Sequence, residues 1–481
     1  MRTSKYVFLL IAAGVIFELS GCGIYGNYKR PENTPASGNL FRDSAYDKAH
    51  DSFSLAGSNI AVESKIDTSS LATLSWRELF KDKKLQVLID SALRNNTDLL
   101  TAQLKVSEAE ATLKTSRLAF LPSLSLGRQG ELSSFDGAKP VKTYNLDGSA
   151  SWELDVFGKL RNANEQAAAA FQKSYAYKDA VQTKLIASVA DGYYYLLLLD
   201  EELAITEQTV ETWQENVKTM NALKAAGETT QAAVSQSEAS LYNTQASVVS
   251  LKQQIQKQEN SLSTLLGIEP QSIIRGTMAE QEFPAELSAG VPLQMINRRP
   301  DVLEAEYALK QAFYGINAAR SAFYPSLVLS GSAGWTNSSG MAIINPGKLL
   351  LTAIGSLSQP IFNNGKNVEQ LKIAKAQQDE AMLAYKQKIL DAGADVNNAL
   401  TQWQSAQKKY ELDTEQVKSL QSAVRSTSLL MQHGTVNYLE VITAKQTLLQ
   451  AQISLITDRY DEISGVINLF HALGGGANGT D

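Results

Sequence analysis

Apolar residues recur every seventh position through long stretches of this chain and every second position through four short ones. Val234, Leu241, Val248, Ile255 and Leu262 form one seven-residue stripe. Leu203, Val210 and Val217 form another, with Trp213 and Met220 at the companion position. Val441, Leu448, Leu455 and Leu469 repeat the pattern near the C-terminus, interrupted by Glu462. Sustained heptads predict helices that pack along their length as coiled coils. The prolines agree: residues 141–269 and 361–481 contain none, and proline inside a helix costs about 3 kcal/mol. Helices are therefore expected over about 160–225 and about 367–432, each roughly 100 Å long at the α-helical rise. Each should end at a glycine, Gly227 or Gly434, where positive φ lets the chain reverse into the next heptad segment.

The alternating stretches are SLSLGRQGELSS (123–134), YNLDGSASWELDVF (144–157), SLVLSGSAGW (326–335) and LLLTAIGSLSQPIF (349–362). In the second of these Leu146, Trp152, Leu154 and Val156 share one parity, as one face of a strand requires. The stretches fall into two pairs because the chain is an internal duplication. FLPSLSL (120–126) returns as FYPSLVL (323–329), an offset of 203 at Phe120/Phe323. DVFGKLRN (155–162) resembles PIFNNGKN (360–367), with Phe157 over Phe362 at 205. AAGETTQAAV lies over QHGTVNYLEV, and STLLGI over FHALGG, with Gly227/Gly434 and Gly267/Gly474 both offset by 207. Landmarks recurring in one order mark two copies of one structural unit. Each copy is then a long helical hairpin plus two strands. Four strands do not close a barrel, and lipid does not tolerate an open sheet edge. Several chains must share one barrel, and FLPSL and FYPSL mark where helix becomes strand, with aromatics placed for a membrane interface.

Composition narrows the compartment and the chemistry. Arg2 and Lys5 precede YVFLLIAAGVIF (6–17), a charge-then-apolar order expected of a secretory signal and too short to span a bilayer. It ends in Leu19-Ser20-Gly21-Cys22, which resembles a bacterial lipobox; Cys22, the single cysteine, would carry lipid and become the mature N-terminus. No disulfide within the chain is possible. The net charge of −6 offers no basic patch and argues against nucleic acid as a partner. His50, His433 and His471 lie far apart. No nucleophile elbow, phosphate loop or metal-ligand cluster occurs, so no catalytic residue, metal or cofactor is expected.

Together the lipobox, the duplicated halves with their strand pairs, Arg298-Arg299-Pro300-Asp301, NYLEVITAKQTLLQAQ (437–452) and NLFHALGGG (468–476) resemble the TolC-like outer-membrane efflux proteins. The match is best to the lipoprotein branch (NodT/OprM-like) that serves RND-type tripartite pumps. The resemblance implies a mainly α fold with a membrane β-barrel, a homotrimer whose twelve-stranded barrel continues into a periplasmic α-helical tunnel. It also implies a periplasmic adaptor and an inner-membrane RND transporter as partners, and outer-membrane lipid around the barrel. The expected layout is a signal peptide over 1–21, a lipidated extended segment over 22–75, repeats over 76–285 and 286–476, and a tail over 477–481. Carried over residue by residue, the tips Gly227, Glu228, Gly434 and Thr435 face the adaptor. Glu440 stands where the family places the first acid of a periplasmic constriction; Thr443 replaces the second. Asp391 and Asp395 are candidates for an acidic lumen or for plain solvated surface, and Arg299-Pro300-Asp301 for a structural helix start. Two other readings fit parts of the pattern: a non-conducting lipid-anchored coiled-coil rod, and a duct for type I protein secretion.

Overall fold

The computed structural model describes residues 25–31, 75–134, 136–281, 298–337, 349–433 and 438–476. Cys22, Gly434 and Thr435 lie outside the described residues, as does most of the segment expected to run extended. Three helices open the described chain, α1 (Trp76–Leu79), α2 (Lys83–Asn95) and α3 (Thr97–Leu118). They lead into β1 (Ser123–Ser133) and β2 (Val141–Leu154), then the long α4 (Lys159–Ala225) and the returning α5 (Gln231–Leu265). The second copy repeats the order: α6 (Pro300–Ser321), β3 (Ser326–Asn337), β4 (Leu349–Ser358), α7 (Lys366–Gln432) and α8 (Tyr438–Ala472). Both long helices have 67 residues and both returning helices 35.

The repeated landmarks have the same local geometry. Gly158 and Gly365 turn strand into helix at φ +73° and +79°. Gly267 and Gly474 end the returning helices at φ +66° and +78°. At each, two N–H groups reach back to the last turn: Gly267 to Thr264 O and Ile268 to Ser263 O, Gly474 to His471 O and Gly475 to Phe470 O. This motif satisfies carbonyls that a helix end leaves bare.

The described residues form two compact units. One contains the strands with the helix segments on either side of them, within Leu104–Tyr175 and Glu304–Gln387, plus residues 25–31. Its sheet is antiparallel in the order β1-β2-β3-β4, so β1 and β4 are edges. Residues 25–31 are held against α6: Tyr28 meets Phe313 edge-on at 5.8 Å, and Arg30 grips Glu306 with Nε at 2.8 Å and with Nη2.

The other unit holds the remaining lengths of the long helices and the returning helices. Its core includes Phe80, Ile186, Tyr193, Tyr194, Leu196, Leu262, Trp403 and Phe470, and α1 and α2 cover it through Trp76, Leu79, Leu85 and Ile89. The seven-residue stripes are inside: Val234 and Leu262 are buried, and Leu241, Val248 and Ile255 half-buried. The companion positions of α5 hold Ser237, Thr244 and Leu251, all buried, and that of α4 holds Thr206. These hydroxyls donate to the carbonyl one turn back, Thr206 to Glu202 O at 2.7 Å, Ser237 to Ala233 O at 2.9 Å and Thr244 to Ser240 O at 2.9 Å. A hydroxyl so paired can be buried at little cost.

Candidate functional site

In the sheet, alternation segregates two faces. One face carries Leu124, Leu126 and Leu132 of β1 and Tyr144, Leu146, Trp152 and Leu154 of β2. It continues with Leu327, Leu329 and Trp335 of β3 and Leu351 and Leu357 of β4. The register makes this one continuous surface, with Leu124 opposite Ala150, Leu146 opposite Trp335, Trp152 opposite Leu329 and Leu327 opposite Leu357. Its exception is Arg128. The other face is Ser123, Ser125, Gln129, Glu131, Asn145, Asp147, Ser149, Ser151 and Glu153, then Ser330, Ser332, Thr352 and Ser356, interrupted by Val328 and Ile354. Cross-strand hydroxyls pair on it, Ser125 with Ser149 at 2.7 Å and Ser332 with Thr352 at 2.5 Å.

Leu124 and Leu126 are 82% and 81% exposed in the single chain, which water would not tolerate over a whole sheet face. Lipid removes the cost. The strands have 11, 14, 12 and 10 residues, and about 9–11 cross a bilayer when tilted. Aromatics gather where strands meet helices: Phe120, Trp152, Phe157, Phe323, Tyr324 and Phe362. Phe157 stacks on Tyr324 with ring centres 5.4 Å apart, and the Trp152 indole N–H donates to Phe120 O at 2.8 Å. Trp152 and Tyr324, apolar in body and polar at one end, suit a membrane boundary.

The hairpin tips lie in the helical unit. Gly227 has φ +78° with open space where a side chain would go, so conformation alone demands glycine there. Its N–H donates to Lys224 O, Glu228 N–H to Leu223 O, and the Thr230 side chain caps α5 at Ala233 N. Gly227 and Glu228 are exposed. In the second copy Glu440 and Thr443 are exposed on the first turns of α8, while Val441 and Ile442 between them are buried. Both therefore point away from the hairpin's own core. Tyr438, which the sequence reading did not single out, has its hydroxyl 3.0 Å from Ser237 Oγ, a hydrogen bond that ties the start of α8 to α5. Lys445, also missed, is turned inward onto Asn216 Oδ1 at 3.0 Å. Burial pushes its pKa down, opposed by Glu215.

Arg299 is structural, as its position at a helix start suggests. It is buried, donates to Ala472 O at 2.9 Å, and grips both carboxylate oxygens of Asp301 and one of Asp395. Burial works against its charge, but the two carboxylates more than compensate and raise its pKa. Asp395 is thus a guanidinium partner. Among the described residues no group of three or more His, Cys, Asp or Glu is placed to hold a metal ion, and no helix is long and apolar enough to cross a membrane.

A chain of long helical hairpins whose sheet has an apolar face, a polar face and two unpaired edges is a subunit of a membrane-embedded channel. The chain belongs to the outer membrane efflux protein family, whose model matches it twice, at residues 88–268 and 291–475. It is 31% identical to SilC of Salmonella typhimurium, a probable outer membrane lipoprotein, over 97% of this chain and 98% of that one. It is 29% identical to CusC of Escherichia coli K12, a cation efflux system protein, over 96% and 98%. A crystal structure of CusC superposes with TM-score 0.81 over 95% of this chain and all of that one. The open state of the Neisseria gonorrhoeae outer membrane channel MtrE, 29% identical, superposes with TM-score 0.79 over 86% and 94%.

Proposed function

We propose that three copies of this chain close a twelve-stranded barrel in the bacterial outer membrane that continues into a periplasmic helical tunnel. The assembly is the outer-membrane duct of a tripartite efflux pump. It receives drugs or other small toxic compounds from an inner-membrane RND transporter through a periplasmic adaptor and passes them out of the cell. The observation that carries this is the four-stranded sheet, apolar on one face, polar on the other, with both edges open. Closing those edges with other copies satisfies every strand in lipid and turns the polar face onto a water-filled lumen. The relatives named above, an outer membrane lipoprotein and efflux channel proteins, support the same reading.

The chain is a conduit, not an enzyme, in this reading. Residues 1–21 are removed as a signal, Cys22 is acylated, 22–75 run along the outside, and 76–285 and 286–476 are the two repeats, with 477–481 a tail. Tyr25, three residues after Cys22, packs beside Gly158 at the β2–α4 corner, which fits a lipid anchor at the membrane boundary. Gly227 and Glu228, with Gly434 and Thr435, present the adaptor-docking tips. Glu440 forms a ring of three carboxylates around the threefold axis, and three like charges brought together attract cations. Thr443 makes the next level uncharged.

Single-particle imaging of the detergent-solubilised protein tests the assembly. A threefold particle with a barrel at one end and a lumen is expected; a monomer or a solid rod refutes it. Planar-bilayer recording tests the ring: Glu440→Gln should reduce cation selectivity and raise the resting conductance, and an unchanged trace rejects the constriction role.

A further inference from the structure

The seam between α7 and α8 is antiparallel and close. Gln402 accepts from the Asn468 side chain at 3.0 Å, Arg459 lies over the Tyr410 ring at 5.9 Å, and a Cβ on Gly465 would meet the Trp403 backbone at 2.9 Å. Along this seam the inward positions of α7 include Ala399, Trp403, Ala406 and Val417, at alternating steps of three and four. Asp413 continues that series, four residues before Val417. On α8 the series through Ala451 and Gly465 passes through Asp458, only 6% exposed. Two carboxyl groups thus occupy core positions on facing helices. The Asp458 Oδ2 is fully buried and has no donor. The register of the seam, with Gln402 against Asn468, Trp403 against Gly465 and Tyr410 against Arg459, places Asp413 opposite it, and two carboxylates cannot bond without a proton between them.

We propose that Asp413 and Asp458 form a proton-operated latch between α7 and α8. With one proton shared, an O–H of one carboxyl donates to the other and holds the helices together; with both ionised, the like charges loosen the seam. The proton is exchanged with water, and no bond other than O–H is made or broken.

The charged groups around the pair set its range. Burial disfavours the Asp458 carboxylate, Asp413 and Asp461 add to this, and Lys409 opposes it, leaving the Asp458 pKa pushed up to about 6. Asp461 is itself raised by burial, with Lys409 opposing and Asp191 adding to the rise. Asp191, which accepts from the hydroxyls of Tyr460 at 3.1 Å and Ser464 at 2.9 Å, faces this cluster. The latch therefore changes state between mildly acidic and neutral solution, where ordinary carboxyl groups are already ionised.

Hydrogen exchange on the full-length detergent-solubilised protein tests this without assuming that it conducts. Peptides covering 405–417 and 452–464 would be compared at about pH 5 and about pH 7.5, corrected for the intrinsic exchange rate. In the wild type, protection of both segments should fall by about threefold or more at the higher pH. In Asp458→Asn the amide supplies the missing donor at every pH, so that fall should vanish, while segments around Trp213 stay unchanged. Asp413→Asn, at the more accessible partner, should abolish the fall too and serves if the first variant does not fold. A pH-independent wild type, or the same fall in both variants, overturns the latch.

Discussion

Asn96 and Arg299 occupy the same place in the two copies, one residue before α3 and α6, and perform the same task with different chemistry. Each is buried and each donates to a carbonyl at the end of its copy's returning helix, Asn96 to Leu265 O at 3.0 Å and Arg299 to Ala472 O at 2.9 Å. Asn96 does so as a neutral amide that also accepts from Leu99 N–H at 3.0 Å. Arg299 brings a charge, and with it Asp301 and Asp395. The copies differ in the same sense elsewhere. In the first, the long helix is enclosed over Leu196–Leu199; in the second, the returning helix is enclosed over Ile463–Ile467 while α7 shows one buried stripe. Duplication preserved the path of the chain and its turns. It exchanged which helix lies inside.

Breaking the two anchors should give the widest difference. Arg299→Ala strands two carboxylates and a carbonyl and should lose about 3–5 kcal/mol of stability, against about 1–2 kcal/mol for Asn96→Ala. Denaturant titration in detergent reads both, and equal losses would erase the contrast. The close approaches come next. Gly465 faces Trp403 backbone, which has nowhere to go, whereas a Cβ on Gly192 would meet the flexible end of Gln258 at 2.9 Å and Leu262 Cδ2 at 3.0 Å. Gly465→Ala should cost about 1–3 kcal/mol and Gly192→Ala less.

The pH response sharpens the comparison because only the second seam carries the carboxyl pair. The folded protein holds the Asp458 proton up to about 6, against 3.8 ordinarily. Stability should therefore decline as pH rises from about 4 to about 6 and then level off. Asp458→Asn should flatten that decline, measured as melting temperature against pH. The smallest effect is expected from Ser237→Ala, about 1 kcal/mol, through the lost bond to Tyr438.

Much of this was legible in the chain because helix and strand periods are local. The strand faces could be read from Leu124, Leu126, Leu146 and Trp152, and the long helices from proline-free heptads ending at glycine. The anchors and the carboxyl pair were harder. Asp413 and Asp458 sit in positions that a heptad count marks as core, which was the available signal, but acids at such positions break an apolar stripe without saying what faces them. Asp395, four residues from Asp391 on one helix face, read as lumen or surface until Arg299 was found against it.

The sequence by itself determined the two copies, their four strands and long hairpins, and the turn at Gly227, since backbone conformation and side-chain period are properties of neighbours along the chain. Only the tertiary structure decided which helix of each copy is enclosed, that Arg299 closes onto Ala472 and Asp395, and that two aspartates meet across α7 and α8. Those outcomes depend on groups far apart in sequence, and on burial that exists only once the helices have packed.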